Sequence, residues 1–193
     1  MKRLISESGI FLVNECGVAE SFEAAADNPF RDEITERDDN YSVRTYRTIR
    51  TFVVPEGIRG FASEFMRGVR VEERFVLPGG VLSVGNFSFE SGVGQHSVFA
   101  DCILPEVRIP PGVRMIGNYA FGCSHIESLT LPADLRSPYG RQFKDSYIGR
   151  LLLPAEWKGR VRLEDGGLHS GLPSEYEYLR WPSTKIGCLS FFE

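Results

Sequence analysis

Along most of the chain the apolar residues recur as one phrase: an apolar residue, two of any kind, an apolar residue, one of any kind, an apolar residue, then proline. It reads Ile49, Phe52, Val54, Pro55, and returns at Leu104, Val107, Ile109, Pro110. Further copies are Ile126, Leu129, Leu131, Pro132, then Ile148, Leu151, Leu153, Pro154, and last Tyr176, Leu179, Trp181, Pro182. A weaker copy keeps Phe75, Leu77 and Pro78 but has Glu72 at its first position, where neighbouring Val71 can substitute. The prolines are 23, 32, 22, 22 and 28 residues apart, so the unit is 22 to 23 residues with insertions in the second and fifth units. Apolar residues two apart point to one side of a strand, so Leu129 and Leu131 face inward while Ser128 and Thr130 face outward. Proline donates no backbone hydrogen bond and ends the strand.

A second layer of columns follows each proline. Gly57, Gly80 and Gly112 stand two residues on, where Pro-Glu-Gly at 55–57 and Pro-Pro-Gly at 110–112 suit tight turns. Ile58, Val81, Val113 and Leu135 come next, then Phe61, Val84 and Ile116. Met66, Phe89, Phe121 and Phe143 lie eleven residues after a proline, but Phe99 in place of Phe89 restores the usual spacing to Pro110. The extra length of the second unit then falls at about 86–95, a glycine-rich surface loop. Each unit predicts one coil: a strand, a turn, and a short helical or irregular stretch opposite, with the aromatic residue filling the middle. Five buried apolar side chains contribute roughly 1.5–3 kcal/mol each, whereas ordering a coil costs roughly 1–2 kcal/mol per residue. Coils are therefore stable only when stacked, with parallel strands and with Val107, Leu129 and Leu151 in one column. The expected core is Phe52, Leu77, Ile109, Ile116, Phe121, Leu129, Leu131, Phe143, Leu151 and Leu153.

The unit from Val107 to Pro132 resembles the BspA-like class of leucine-rich repeats through Ile116, Gly117, Ala120, Phe121, Cys123, Ile126, Leu129 and Leu131. The resemblance covers about Ile49 to Pro182, and Ile186, Gly187 and Phe191 begin another unit. It implies an α/β or mainly β fold: a right-handed leucine-rich-repeat solenoid with a stacked parallel sheet. It also implies a binding role, since many such proteins are bacterial surface proteins and some are adhesins for host matrix proteins. A surface or secreted location follows from the same resemblance.

Three regions are expected: an N-terminal cap at 1–48, the solenoid at 49–182, and a partial terminal repeat at 183–193. Within the cap, Ile10 to Val13 reads as a strand, Ala19 to Ala26 as a brief helix, and Arg31 to Arg47 as a hairpin turning at Asp38-Asp39-Asn40. As a cap this segment covers apolar surface and strand edge that an open solenoid end would expose; the other reading is a separate interaction element.

A net charge of −4 argues against nucleic-acid binding, which needs a basic face. No apolar run is long enough for a membrane helix, so no membrane insertion is expected. The start of the chain lacks the apolar core of a secretory signal, which makes the cytoplasm the default location. Cys16, Cys102, Cys123 and Cys188 form no zinc pattern and read as reduced thiols, mostly buried. His96, His125 and His169 share no motif, and Glu164-Asp165-Gly166-Gly167 lacks the spaced ligands of a calcium loop. No nucleotide or metalloprotease motif is present. No enzyme activity, metal or cofactor is expected.

Two outward columns remain. Val53, Val76, Arg108, Thr130, Leu152 and Arg180 stand two before the prolines; Thr51, Arg74, Glu106, Ser128, Arg150 and Tyr178 stand four before. Stacking makes them neighbours. Arg74, Arg108, Arg150, Leu152, Tyr178 and Arg180 form a candidate recognition patch, because arginine and tyrosine are favoured at interfaces. The patch suits an acidic protein partner, with a glycan as a further option. The other reading is an assembly repeat that forms homo-oligomers through an open C-terminal edge.

Overall fold

A computed structural model describes residues 1–37, 43–85, 98–117, 119–135, 142–143 and 146–155, together with 161–164, 179–186 and 188–191; for 32–37, 43–44 and everything from 161 on, it describes the backbone alone. The insertion at 86–95, Tyr178, His96 and His169 lie outside the described residues.

The chain is a β-solenoid. Its main sheet has seven strands: β4 (Arg31–Arg37), β5 (Val43–Val53), β7 (Val69–Val76), β9 (Ile103–Arg108), β11 (His125–Thr130), β12 (Ser146–Leu152) and β14 (Leu179–Ile186), side by side in that order. The five strands from β5 to β12 are parallel, as the repeat requires, and Val107, Leu129 and Leu151 pair in register. On another side of the coils, β6 (Gly60–Phe61), β8 (Ser83–Val84) and β10 (Met115–Ile116) follow one another, with β8 and β10 paired in parallel. The stretch opposite the main sheet thus consists of short strands and turns, and no α-helix forms among the described residues. A third run of backbone bonds joins Met66 to Val98, Phe99 to Ala120 and Phe121 to Gln142.

The core follows the sequence columns. Phe52, Ile116, Phe121 and Leu129 are fully enclosed, Leu77, Ile109, Leu131, Phe143 and Leu151 are buried, and Leu153 is partly buried against them. Phe99, Phe121 and Phe143 stack at ring separations of 5.4 and 5.3 Å, which places Phe99 in the aromatic column. Gly85 and Gly117 hold one repeat position in successive coils: a Cβ on Gly85 (φ 141°) would lie 2.8 Å from the Gly117 Cα, so the coils pack there backbone to backbone.

Buried polar side chains also repeat. Ser124 Oγ donates to the Phe99 carbonyl at 2.8 Å and accepts from the Cys102 N–H at 3.0 Å. Ser146 Oγ donates to the Phe121 carbonyl at 2.5 Å and accepts from the Ser124 N–H at 3.4 Å. Cys102 Sγ lies 3.0 Å from the Met66 carbonyl in the same column. The polar column is therefore Cys102, Ser124, Ser146, and Cys123, which the resemblance matched, is beside it. Cys123 is half-buried with φ 55°, as is Asp101 at the equivalent place one coil earlier.

The N-terminal segment is a meander of β1 (Lys2–Ser6), β2 (Gly9–Val13) and β3 (Val18–Ala24), with β3 joining β6 in parallel. The helix expected over Ala19–Ala26 is instead strand β3. The turn before it fixes this outcome: Asn14 Oδ1 accepts the N–H groups of Cys16 and Val18, Gly17 takes φ 83°, and the chain folds back onto β2. Asn28 ties the meander to β5, donating to the Thr51 carbonyl at 2.8 Å and accepting its N–H at 3.1 Å. Ser8 Oγ accepts the Val53 N–H at 2.7 Å. β4 and β5 pair antiparallel, and β5 runs unbroken through residues 48 and 49.

The C-terminal strands depart from the repeat. β14 lies antiparallel to β12, setting Arg180 opposite Arg150 and Leu179 opposite Leu151. β15 (Cys188–Phe191) pairs antiparallel with β13 (Val161–Glu164). A reversed strand has the same alternation of side chains as a parallel one, so the apolar phrase could not tell the two directions apart.

Candidate binding site

The main sheet is interrupted at one seam. In each coil the N–H before the proline should donate to the carbonyl two before the next proline. Val54 donates to Val76 at 3.0 Å, Ile109 to Thr130 at 3.0 Å and Leu131 to Leu152 at 3.1 Å. The corresponding bond from Leu77 to Arg108 is missing, and β7 and β9 share one register pair, Arg70 with Ile103.

The cause is in the residues. Between the inward positions of β7, Val71 and Phe75, stand three residues, Glu72, Glu73 and Arg74; the equivalent positions elsewhere are separated by two. The extra residue makes a bulge against β5, where Ile49 pairs with Val71 but Thr51 pairs with Arg74. Bulges bend the strand that carries them. On the facing strand, Pro105 contributes no N–H. The β5–β7 ladder recovers beyond the bulge, and the β7–β9 ladder does not.

The opening is a cleft of about 490 Å³, within the roughly 300–1,000 Å³ of ligand pockets. Phe75, Leu77, Ile109 and Leu131, each 3–6 % exposed, form its floor. Pro110, Pro111 and Pro132 line it beyond the strand ends. Glu73 and Arg74 stand on one bank, Glu106 and Arg108 on the other. Arg74 pairs with Glu7 at 2.8 Å, and Arg108 meets Glu106 through Nε at 3.0 Å. These ion pairs are exposed, so breaking them costs little.

Of the expected patch, Arg74, Arg108 and Arg150 are exposed, while Leu152 is half-buried. Val76, Thr130, Thr51 and Ser128 are also half-buried, less open than strand alternation suggested. Arg108 and Leu152 flank Thr130, and Arg150 sits beside Ser128. The backbone of Arg180 faces Arg150 rather than continuing the column of Arg108 and Leu152. Sequence reasoning did not anticipate the cleft, although the irregular Val71/Glu72 spacing is its signal. Nor did it single out His125 and Tyr147, exposed neighbours on β11 and β12 whose rings stack at 6.3 Å.

A more open depression is lined by Tyr46, Glu64, Arg67 and Asp101. Arg67 reaches Asp101 at 2.9 Å and Glu64 at 2.8 Å; these hydrogen bonds, Asp101 first, raise the guanidinium pKa. Among the described residues, no three His, Cys, Asp or Glu side chains gather as metal ligands, and no helix is long and apolar enough to cross a membrane. Cys16 is exposed rather than buried, Cys102 is buried, and neither they nor Cys123 form a disulfide.

A family model, the BspA type leucine-rich repeat region, matches residues 39–158 in six copies. No match was found among curated proteins or among solved structures. The matched span ends before β14, where the strand direction reverses. Leucine-rich repeats are typically non-catalytic protein-interaction modules. With more than half of its length matched and its coils stacked in register, the chain belongs to the BspA-type leucine-rich-repeat family.

Proposed function

We propose that this protein is a non-catalytic binding module, adhesin-like in action, that recognises a protein partner on the outer face of the main sheet around Arg74, Arg108, Arg150 and Leu152. The observation that carries the reading is the cleft between β7 and β9, an apolar floor opening between exposed arginines. Interfaces draw their strength from a desolvated apolar centre inside a polar rim, and arginine is enriched there. The face also offers a rigid backbone, held on either side of the cleft by paired strands. The other reading, self-association through the C-terminal edge, would use β14, the end strand of the main sheet, in place of β12.

The test compares the full chain with a variant in which Arg74, Arg108 and Arg150 are all alanine. Both are immobilised and exposed to extract from the native cells and to extracellular matrix proteins. A protein retained by the unmodified chain and lost by the equally stable variant supports the reading. Identical retention by both contradicts it.

A further inference from the structure

We propose that the seam between β7 and β9 seats an extended peptide segment of the partner, in which an aliphatic or aromatic residue lies beside an acidic one. This rests on the binding-module reading and gives the partner its chemistry.

Three observations converge. First, the seam has spare main-chain groups. The Leu77 N–H has no partner among the described residues, although the residue is only 6 % exposed, and the Arg108 carbonyl opposite lacks the bond that its counterparts accept. An amide left without a protein partner can take one from a ligand, and the carbonyl of an extended peptide fills that place at Leu77. A main-chain bond of this kind is one way an extended peptide gains affinity. Second, the floor of Phe75, Leu77, Ile109 and Leu131 presents carbon to an entering side chain, and the cleft volume of about 490 Å³ admits a large one. Third, the charges are unevenly placed. Glu73 and Glu106 lie toward the middle of the strands, whereas Arg108 stands two residues before Pro110, at the repeat position that Val76 holds before Pro78. Its side chain is 74 % exposed and, among the described residues, its hydrogen bond to Glu106 runs through Nε. The terminal guanidinium nitrogens therefore remain for a carboxylate, in the fork geometry that arginine gives such pairs. Leu77 N–H and the Arg108 guanidinium are both donors at this end, which favours an anionic group over a cationic one.

The test uses the full chain and a positional-scanning library of acetylated, amidated hexapeptides. Binding is read by fluorescence polarisation and by amide shifts in 15N-labelled protein. The selected peptides should carry an apolar residue next to Asp or Glu, and should shift the Leu77 amide. Arg108→Glu should weaken them at least tenfold and reverse the choice toward Lys; Arg108→Gln, with no charge inverted, should weaken them less. An unchanged melting temperature establishes that either variant is folded. Peptides that bind without moving Leu77, or that ignore both Arg108 variants, overturn the seam proposal. So does the absence of any selected peptide. If a whole partner is still lost on replacing the three arginines, the binding-module reading survives that failure; if none is, both fall.

Discussion

Ser124 shows what a single residue does in a stacked fold. Its hydroxyl satisfies a carbonyl and an N–H in the preceding coil, deep in the core. Ser124→Ala orphans both groups and should cost about 1–3 kcal/mol, measured by denaturant unfolding; Ser124→Cys, which reproduces the neighbour Cys102, should recover part of the loss. Cys102 itself is held in the thiol form: burial, the main cause, pushes its pKa from an ordinary 9.0 to about 12. Above pH 9 the unfolded chain releases this proton and the folded chain keeps it, so the unfolded state binds fewer protons and stability falls as pH rises. The contribution is fully present below pH 9 and is lost progressively up to about pH 12. Cys102→Ser should lack this component, so the stability difference between the two proteins should change over that window and be flat below it.

Among the parallel elements, β7 departs most from the repeat. One surplus residue between Val71 and Phe75 bends the strand, and its ladder with β9 is reduced to one register pair. Deleting Glu72 restores the two-residue spacing of the other coils. The shortened protein should close the cleft and pair Leu77 with Arg108. Crystallography of the deletion variant checks this; a cleft of unchanged volume would show that Pro105 or the long second coil, not the bulge, holds the strands apart. The Val71/Glu72 irregularity was readable in the sequence, but its consequence was not, because spacing reports one strand's residues and not which neighbour's ladder they break. Segment 18–24 was misread for a related reason. Its composition suits a short helix, and the Asn14–Gly17 turn that returns it to β2 decides otherwise.

For the whole molecule, the repeat in the sequence proved sufficient to place most of the fold. Phe99, Phe121 and Phe143 were assigned to one column by counting from prolines, and their rings stack. Counting fails after Pro154, where β14 reverses direction, because inward and outward residues alternate identically in either sense. The candidate face was legible as two outward columns, yet not how far Leu152 and Val76 sink between their neighbours. Since each coil is stable only on its neighbours, a central loss should be felt throughout: Phe121→Ala removes the middle ring of the stack and should cost about 3–5 kcal/mol, seen as a lowered midpoint of chemical unfolding. Between β7 and β9 the ladder of the parallel strands β5 to β12 is shortest, and recognition is proposed there for that reason.

Hydrogen exchange of four equivalent amides tests that claim most directly. Val54, Ile109 and Leu131, each bonded to the next coil, should exchange slowly, and Leu77 should exchange orders of magnitude faster in the free protein. Protection of Leu77 equal to that of the other three would mean that the ladder is closed, and the site proposed here would not exist.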